Sequence, residues 1–446
     1  MNTNFLSRIR YTVFALLIVC SLGMQLVLIT PVQAQEGTEP EVTCKETRVL
    51  GEEPESSSGE EKGELPPCKA APLTALEMQR PPSDVEANAA VLVMQETFEG
   101  AFPTTGWTVY DFNPMDGAEY YWDDESATSS QGSWSGWAVG GGAQGSALTA
   151  GASLYPNNTN SWMVYGPINL SGYAHAILVF DYLNMSEPYY DTFFWGASHD
   201  TRTFKGKSVS GDSGGWHTQV LNLSAYAGDS TVWIGFNFSS DGSVTDYGTF
   251  VDWIEVFAYP AEYLTVYSQG KYDGSIIESS ENSNVGGSLN SGSKHLWVGD
   301  YSNNSQYRSI LSFNTGALPD NAVVTIAEVY INKSGTVGTS PFNTHKGLYL
   351  DIRKGAFSGS KKLQLSDFQA AASKNLAGKF KKGSSGWYWA TVKSKALKYV
   401  NKTGTTQFRL RFYKDDNNDF GSDFHTFYSG NAAANKPVLW VQYYIP

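Results

Sequence analysis

Cysteine is almost missing from this chain, with three among 446 residues. Cys20 lies in an apolar leader, and Cys44 and Cys68 fall in an acidic, low-complexity stretch. Neither globular region holds one, so thiol catalysis and thiolate zinc sites are excluded there. Each region must be held by packing or by a metal. The chain also lacks an HExxH pair, a GxSxG elbow and a phosphate loop. Its six histidines (175, 199, 217, 295, 345 and 425) are scattered without metal-ligand spacing and read as surface or hydrogen-bonded residues. Local acidic clusters suited to glycoside hydrolysis are Glu96 with Glu99 and Asp123-Asp124-Glu125. Two carboxylates from distant strands could still form a glycosidase pair, so an enzyme stays open as an alternative. Long runs of Ala, Leu, Glu and Lys are absent too.

What is present points to strands. Phe, Tyr and Trp make up 14% of the chain, and there are 44 glycines, a composition that suits sheets and turns. The first 34 residues have the layout of a secretory signal. Arg8 and Arg10 precede an apolar run from Tyr11 to Ile29, and small residues precede a cut after Ala34. The alternative is an uncleaved membrane anchor; lipidation at Cys20 lacks the small residues it needs. Export permits a Cys44–Cys68 disulfide.

Charge divides the rest. Residues 35–95 carry 13 acidic and 5 basic side chains among Ser, Gly and Pro, the pattern of a disordered acidic spacer. Residues 96–261 carry 18 acidic and 3 basic side chains, and residues 262–446 carry 13 acidic and 21 basic. The two globular regions thus have opposite signs. In the first, 176–182, 231–238 and 250–257 read as strands separated by turn clusters. In the second, strands are expected at 263–267, 309–313, 323–331, 347–352, 406–413 and 438–444. Short helices are expected from Ser366, carrying Phe368, Ala372 and Leu376, and over 394–401. The fold class is therefore all-β, two β-sandwiches in tandem.

Asp252 is the most informative carboxylate of the acidic region. It stands mid-strand and shares a face with Ile254 and Val256. No Lys or Arg lies between Lys207 and the end of that region, so a buried charge there calls for a cation with oxygen ligands. Calcium held by Asp252, Glu99, Asp111 and Asp116 is the expectation; the alternative places Asp252 at a strand end, capping a turn. The stretches Glu96-Thr97-Phe98-Glu99-Gly100, Ser161-Trp162-Met163 to Ser171, Leu221 to Gly228 and Val251 to Val256 together resemble the MAM-like, cleaved-adhesin jelly-roll modules, over residues 96–258. That resemblance implies a concanavalin-like sandwich, often with structural calcium, appended to secreted peptidases, adhesins and glycan-active proteins. Trp253 stands where the family often has a second acid.

In the basic region, residues 406–413 alternate. Thr406, Phe408, Leu410 and Phe412 form a core face; Gln407, Arg409, Arg411 and Tyr413 form the other. Guanidinium groups bind carboxylates in pairs of hydrogen bonds, and rings stack on sugars. An ordinary solvated face is the alternative. Lys361, Lys362, Lys379, Lys381 and Lys382 add positive charge, which favours an anionic partner. Trp297, Tyr301, Tyr307, Trp387, Tyr388 and Trp389 are further platforms, with Tyr388 pointing away from its two neighbours. Nucleic acid is a poor partner for an exported chain without a continuous basic groove. Asp273-Gly274-Ser275-Ile276, Leu296 to Asp300, Tyr307 to Phe313, Leu318 to Val329 and Lys436 to Val441 resemble the DNRLRE domain, related to alginate-type carbohydrate-binding modules, over residues 263–446. Arg308 takes the place of that family's strand arginine, and Asn314 replaces its usual aspartate. The resemblance implies binding of acidic or cell-wall glycan in some members and envelope architecture in others. The expected ligand-binding set is Arg308, Arg409, Arg411, Tyr413 and Trp297. The expected role is a secreted or cell-surface, non-catalytic protein that binds extracellular, acidic polysaccharide, with a structural envelope or adhesion protein, or an accessory module of an extracellular hydrolase, as alternatives.

Overall fold

Alternating apolar and polar residues punctuated by Gly, Asn and Asp produce twenty-five strands among the residues that the computed structural model describes: 43–52, 90–112 and 117–446. The expected export signal, Cys68 and therefore the expected Cys44–Cys68 pairing, and Asp116 lie outside the described residues. In chain order the first twelve strands are β1 (Thr43–Val49), β2 (Val91–Glu96), β3 (Trp107–Asp111), β4 (Tyr121–Glu125), β5 (Ser135–Gly141), β6 (Asn160–Ile168), β7 (Tyr173–Met185), β8 (Thr192–Ser198), β9 (Thr203–Ser210), β10 (His217–Asn222), β11 (Val232–Ser239) and β12 (Gly248–Pro260). They form two antiparallel sheets. One runs β1-β9-β8-β11-β6-β3; the other runs β10-β7-β12-β5-β4, with β2 on the edge of β12. Their inner faces bury a core that includes Trp122, Trp137, Trp195, Phe180, Phe193 and Phe236. Outside that core, Phe194 and Phe204 lie over glycines of the first sheet. A Cβ on Gly196 would stand 2.7 Å from the Phe194 ring, and one on Gly235 2.8 Å from Phe204.

β1 and the first residues of β2 lie in the span expected to be a disordered spacer. Composition misled here because an edge strand tolerates charged side chains. β1 pairs with β9 along its length, and Arg48 is buried against the Phe194 ring, hydrogen-bonding Asn237, Ser239 and Thr192.

The remaining strands are β13 (Glu262–Tyr267), β14 (Gly274–Glu278), β15 (Gly286–Asn290), β16 (His295–Asp300), β17 (Gln306–Asn314), β18 (Val323–Val337), β19 (Leu348–Lys354), β20 (Lys374–Lys379), β21 (Lys381–Lys382), β22 (Trp387–Thr391), β23 (Thr405–Phe412), β24 (Asp423–Tyr428) and β25 (Val438–Tyr444). One sheet runs β13-β25-β18-β22-β21, the other β24-β16-β17-β23-β19-β20 with β14 on β17 and β15 on β14. The long β18 serves both: its first half pairs with β25, and after a bulge its end pairs with β24. Between the sheets lie Leu296, Leu311, Phe313, Val329, Leu350, Phe408, Leu410 and Leu439. Two short helices occur among the described residues, α1 (Pro341–Thr344) and α2 (Ser394–Leu397).

The helix expected from Ser366 is a single 3-10 turn over Leu365–Phe368, and Leu376 belongs to β20. The carbonyls of Asp367, Phe368 and Ala370 accept hydrogen bonds from the Arg409 guanidinium, and Asp351 Oδ1 takes the Leu376 N–H. Those groups would otherwise form the helix ladder.

Candidate functional site

The basic face of the second sandwich is built by register. Ile310 pairs with Arg409, and Arg409 with Asp351; Arg411 pairs with Tyr349, and Tyr349 with Lys379. Paired residues of neighbouring strands share a face, about 4.8 Å apart. The same register sets Arg308 opposite Arg411, so Arg308, Arg411, Tyr349 and Lys379 form one row across four strands. The core side chains Leu410, Phe412 and Leu350 point the other way.

Asp351 is the hub of this face and is wholly buried. Its Oδ2 accepts from Arg409 Nη2 at 2.9 Å and from Arg411 Nε at 3.0 Å. Burial pushes the carboxyl upward, but the guanidinium groups of Arg411 and Arg409 outweigh it and hold the group below the ordinary carboxylate range. Arg409 is itself buried, lies over the Phe357 ring and spends Nη1 on three carbonyls of the 367–370 turn. Arg308 stacks on Phe368 at 4.0 Å and bonds the Phe368 carbonyl, Gln306 and Asn284. Burial, then the nearby Arg409 and Arg411, pull its guanidinium down to about 10, so it stays protonated at neutral pH.

The expected set of ligand residues therefore separates. Arg409 is not on a solvated face: the 355–373 segment covers it, and its donors fasten that segment to the sheet. Arg308 holds the same turn through the Phe368 carbonyl and ring. Arg411 keeps a side chain 20% exposed, and Tyr413 is 55% exposed, its ring 5.8 Å from Tyr349. Lys379 is exposed with its ammonium over the Tyr349 ring. Trp297 is apart from this group. It shares a side of β16 with Gly299, which pairs with Tyr307, and alternation turns Arg308 to the opposite side. Of the other platforms, Tyr388 is core, while Trp387 and Trp389 lie on the outer face with Tyr330. Tyr349 and Asp351 were missed in the sequence because a register four strands wide is invisible in any one segment. The available signal was their alternation with Leu348, Leu350 and Ile352.

Of the expected calcium ligands, Asp116 lies outside the described residues, and Glu99, Asp111 and Asp252 do not bring their carboxylates together within 4.8 Å. Asp252 is fully buried at a bulge in β12, and its carboxylate accepts the N–H groups of Ser130, Gln131 and Trp253. Burial pushes this carboxyl up, against the pull of those amides. Glu99 accepts from the N–H groups of Ser133 and Trp134. Both acids thus hold the 130–134 segment. Asp111 lies on β3 in the opposite sheet and takes the Tyr120 N–H. Backbone amides, rather than cationic side chains, supply much of the compensation for the Asp252 charge. Among the described residues, the one set of three acids with ligand atoms within 4.8 Å is Glu187, Asp191 and Asp241. Asp191 is buried, accepts from Tyr155 Oη and the Asp241 N–H, and is pushed up to about 6, chiefly by burial.

No family model and no curated protein matches the chain. Solved structures do. The K3 cleaved adhesin domain of Lys-gingipain from Porphyromonas gingivalis is 16% identical over 37% of this chain and 98% of its own, with a TM-score of 0.27. The CBM22-1-CBM22-2 tandem of Paenibacillus barcinonensis Xyn10C is 11% identical over 81% of this chain and 99% of its own, at 0.28. TmCBM61 in complex with β-1,4-galactotriose is 8% identical over 35% of this chain and 89% of its own, at 0.23.

Proposed function

We propose that this is an exported, non-catalytic protein that binds an acidic extracellular polysaccharide through the cationic face of its second sandwich. The observation that carries this reading is the row Arg308–Arg411–Tyr349–Lys379 with Tyr413 beside it. Arg409 and Arg411 share the buried carboxylate Asp351, while Glu278 acts on Arg308 and Asp367 on Arg409, so the positive charge that the face presents outward is that of Lys379 and the exposed part of Arg411. The exposed members are an ammonium, part of a guanidinium and a phenol ring. These are the groups that pair with a uronate carboxylate and stack on a sugar.

The test is retention of the full chain on polygalacturonate and on an uncharged galactan, at low and high salt. Retention on the acidic polymer alone, weakened by salt, is expected. Lys379→Ala with Arg411→Met and Tyr413→Ala should weaken it about a hundredfold, at roughly 1 kcal/mol for each contact removed. Arg409 is left intact because its loss would release the 355–373 segment. Retention that survives the triple variant, or none on any acidic polysaccharide, rejects the reading. Release of sugar fragments by the purified protein would replace it with an enzyme.

A structural cation in the first sandwich belongs to the same proposal. Its support is charge: Asp191 and Asp252 are both fully buried, and neither forms an ion pair with Lys or Arg among the described residues. No ligand set is assigned to it. A ligand bound only by the native state raises the unfolding midpoint, so a chelator should lower it; an unchanged midpoint rejects the cation.

A further inference from the structure

On the inner side of the sheets, away from the arginine row, is an open recess of about 380 Å³. Its lining comes from β18, β24, the β21–β22 pair and the turn around α1. Alternation separates it from the arginine face, since Phe412 points away from Arg411 and Phe380 away from Lys379. The floor is aromatic. Phe342 and Tyr388 stack with ring centroids 5.1 Å apart and planes 6° from parallel. Phe342 also meets Phe412 edge-on at 5.2 Å and lies 5.2 Å from the His425 ring.

The rim is cationic. Lys382 pairs directly with Tyr388 across β21 and β22, so ammonium and ring share a face. Lys333 enters from the bulge of β18, and Asn343 and Ser340 complete the lining. No carboxylate is among the lining residues. His425 is buried and fully engaged: Nδ1 with Thr336 Oγ1 at 2.8 Å, and Nε2 with Ser340 Oγ at 3.1 Å. Burial, reinforced by the Lys333 charge, lowers it to about 4, so at neutral pH it adds no charge of its own. The two lysines are left with no opposite charge inside the recess.

We propose that this recess binds one sugar residue bearing an oxyanion, a carboxylate or a sulfate, with the anion between Lys333 and Lys382 and the ring against the half-buried Phe342. The inference rests on the reading of the molecule as a saccharide binder and adds a second, separate site to it. Ligand pockets run from about 300 to 1,000 Å³, and a recess at the small end of that range takes a single ring rather than a chain segment. Ammonium groups are point charges and accept carboxylate and sulfate alike.

The experiment follows the His425 imidazole by NMR in the full chain, its signal assigned by its loss in His425→Gln. Galacturonate, galactose 6-sulfate and galactose are the probes. At least one anionic sugar should shift the signal saturably while galactose does not, and the two anionic arms tell a uronate from a sulfated sugar. Lys333→Met with Lys382→Met should weaken that response about tenfold or more, and Arg411→Met should leave it unchanged. No shift with either anion, an equal shift with galactose, or a response that survives loss of both lysines overturns the site. Loss of polygalacturonate retention in the Lys379, Arg411 and Tyr413 variant bears on the opposite face alone, so the two readings fail separately.

Discussion

At the scale of single residues, two buried aspartates act with opposite signs. Asp351 is stabilised as an anion by Arg411 and Arg409. Asp351→Asn leaves two guanidinium groups packed against an uncharged partner, and should destabilise the protein by about 3–5 kcal/mol in denaturant unfolding. A change well under 1 kcal/mol would show that the pair is solvated. The contribution of this group is present above the ordinary carboxylate value and fades as pH falls through its lowered one. Asp273 is the reverse. It sits where Ser268, the Ser312 N–H and the Gly430 N–H converge, and burial, only partly offset by those donors, pushes it up to about 6. The fold prefers its neutral form. Its contribution is therefore full below about pH 4 and is lost as pH rises to about 6, on the order of 3 kcal/mol. Comparison of wild type with Asp273→Asn across that window checks this: the variant should lack that part of the slope. Both aspartates are plain letters in the sequence; only their surroundings give them opposite signs.

At the scale of elements, period-2 alternation made most strands legible. The spans expected at 406–413 and 438–444 correspond to β23 and β25 within a residue, because their inward faces are continuous apolar sets. Where side chains from elsewhere claim the backbone, local reading failed. The Ser366 segment has a helical pattern, yet Arg409, forty residues on, takes its carbonyls. β1 is the converse case, a charged stretch made a strand by a partner it meets far along the chain. Arg48→Met should free that edge. The β9 amides that face β1 should lose hydrogen-exchange protection, with a global loss near 2 kcal/mol. Unchanged protection would mean that backbone pairing alone holds β1.

At the scale of the whole molecule, the two sandwiches meet through aromatic rings. Tyr444, from the last strand, stacks on His175 of β7 at 4.7 Å and lies 5.1 Å from Tyr259 of β12, within a buried cluster with Ile177, Val179 and Phe257. Tyr444→Ala should cost about 3 kcal/mol and divide calorimetric unfolding into two transitions, one per sandwich. A single transition at lower temperature would show that the coupling lies elsewhere. The all-β architecture, the alternation of the main strands and the opposite charge of the two regions were settled by the sequence itself, because side-chain period and net charge are local or additive quantities. Which carboxylates are neutralised by amides, which arginines are consumed holding a loop, and which rings remain open to a ligand were decided only when strands from distant parts of the chain came into register. Those outcomes depend on what lies across the sheet, and sequence distance carries no record of that.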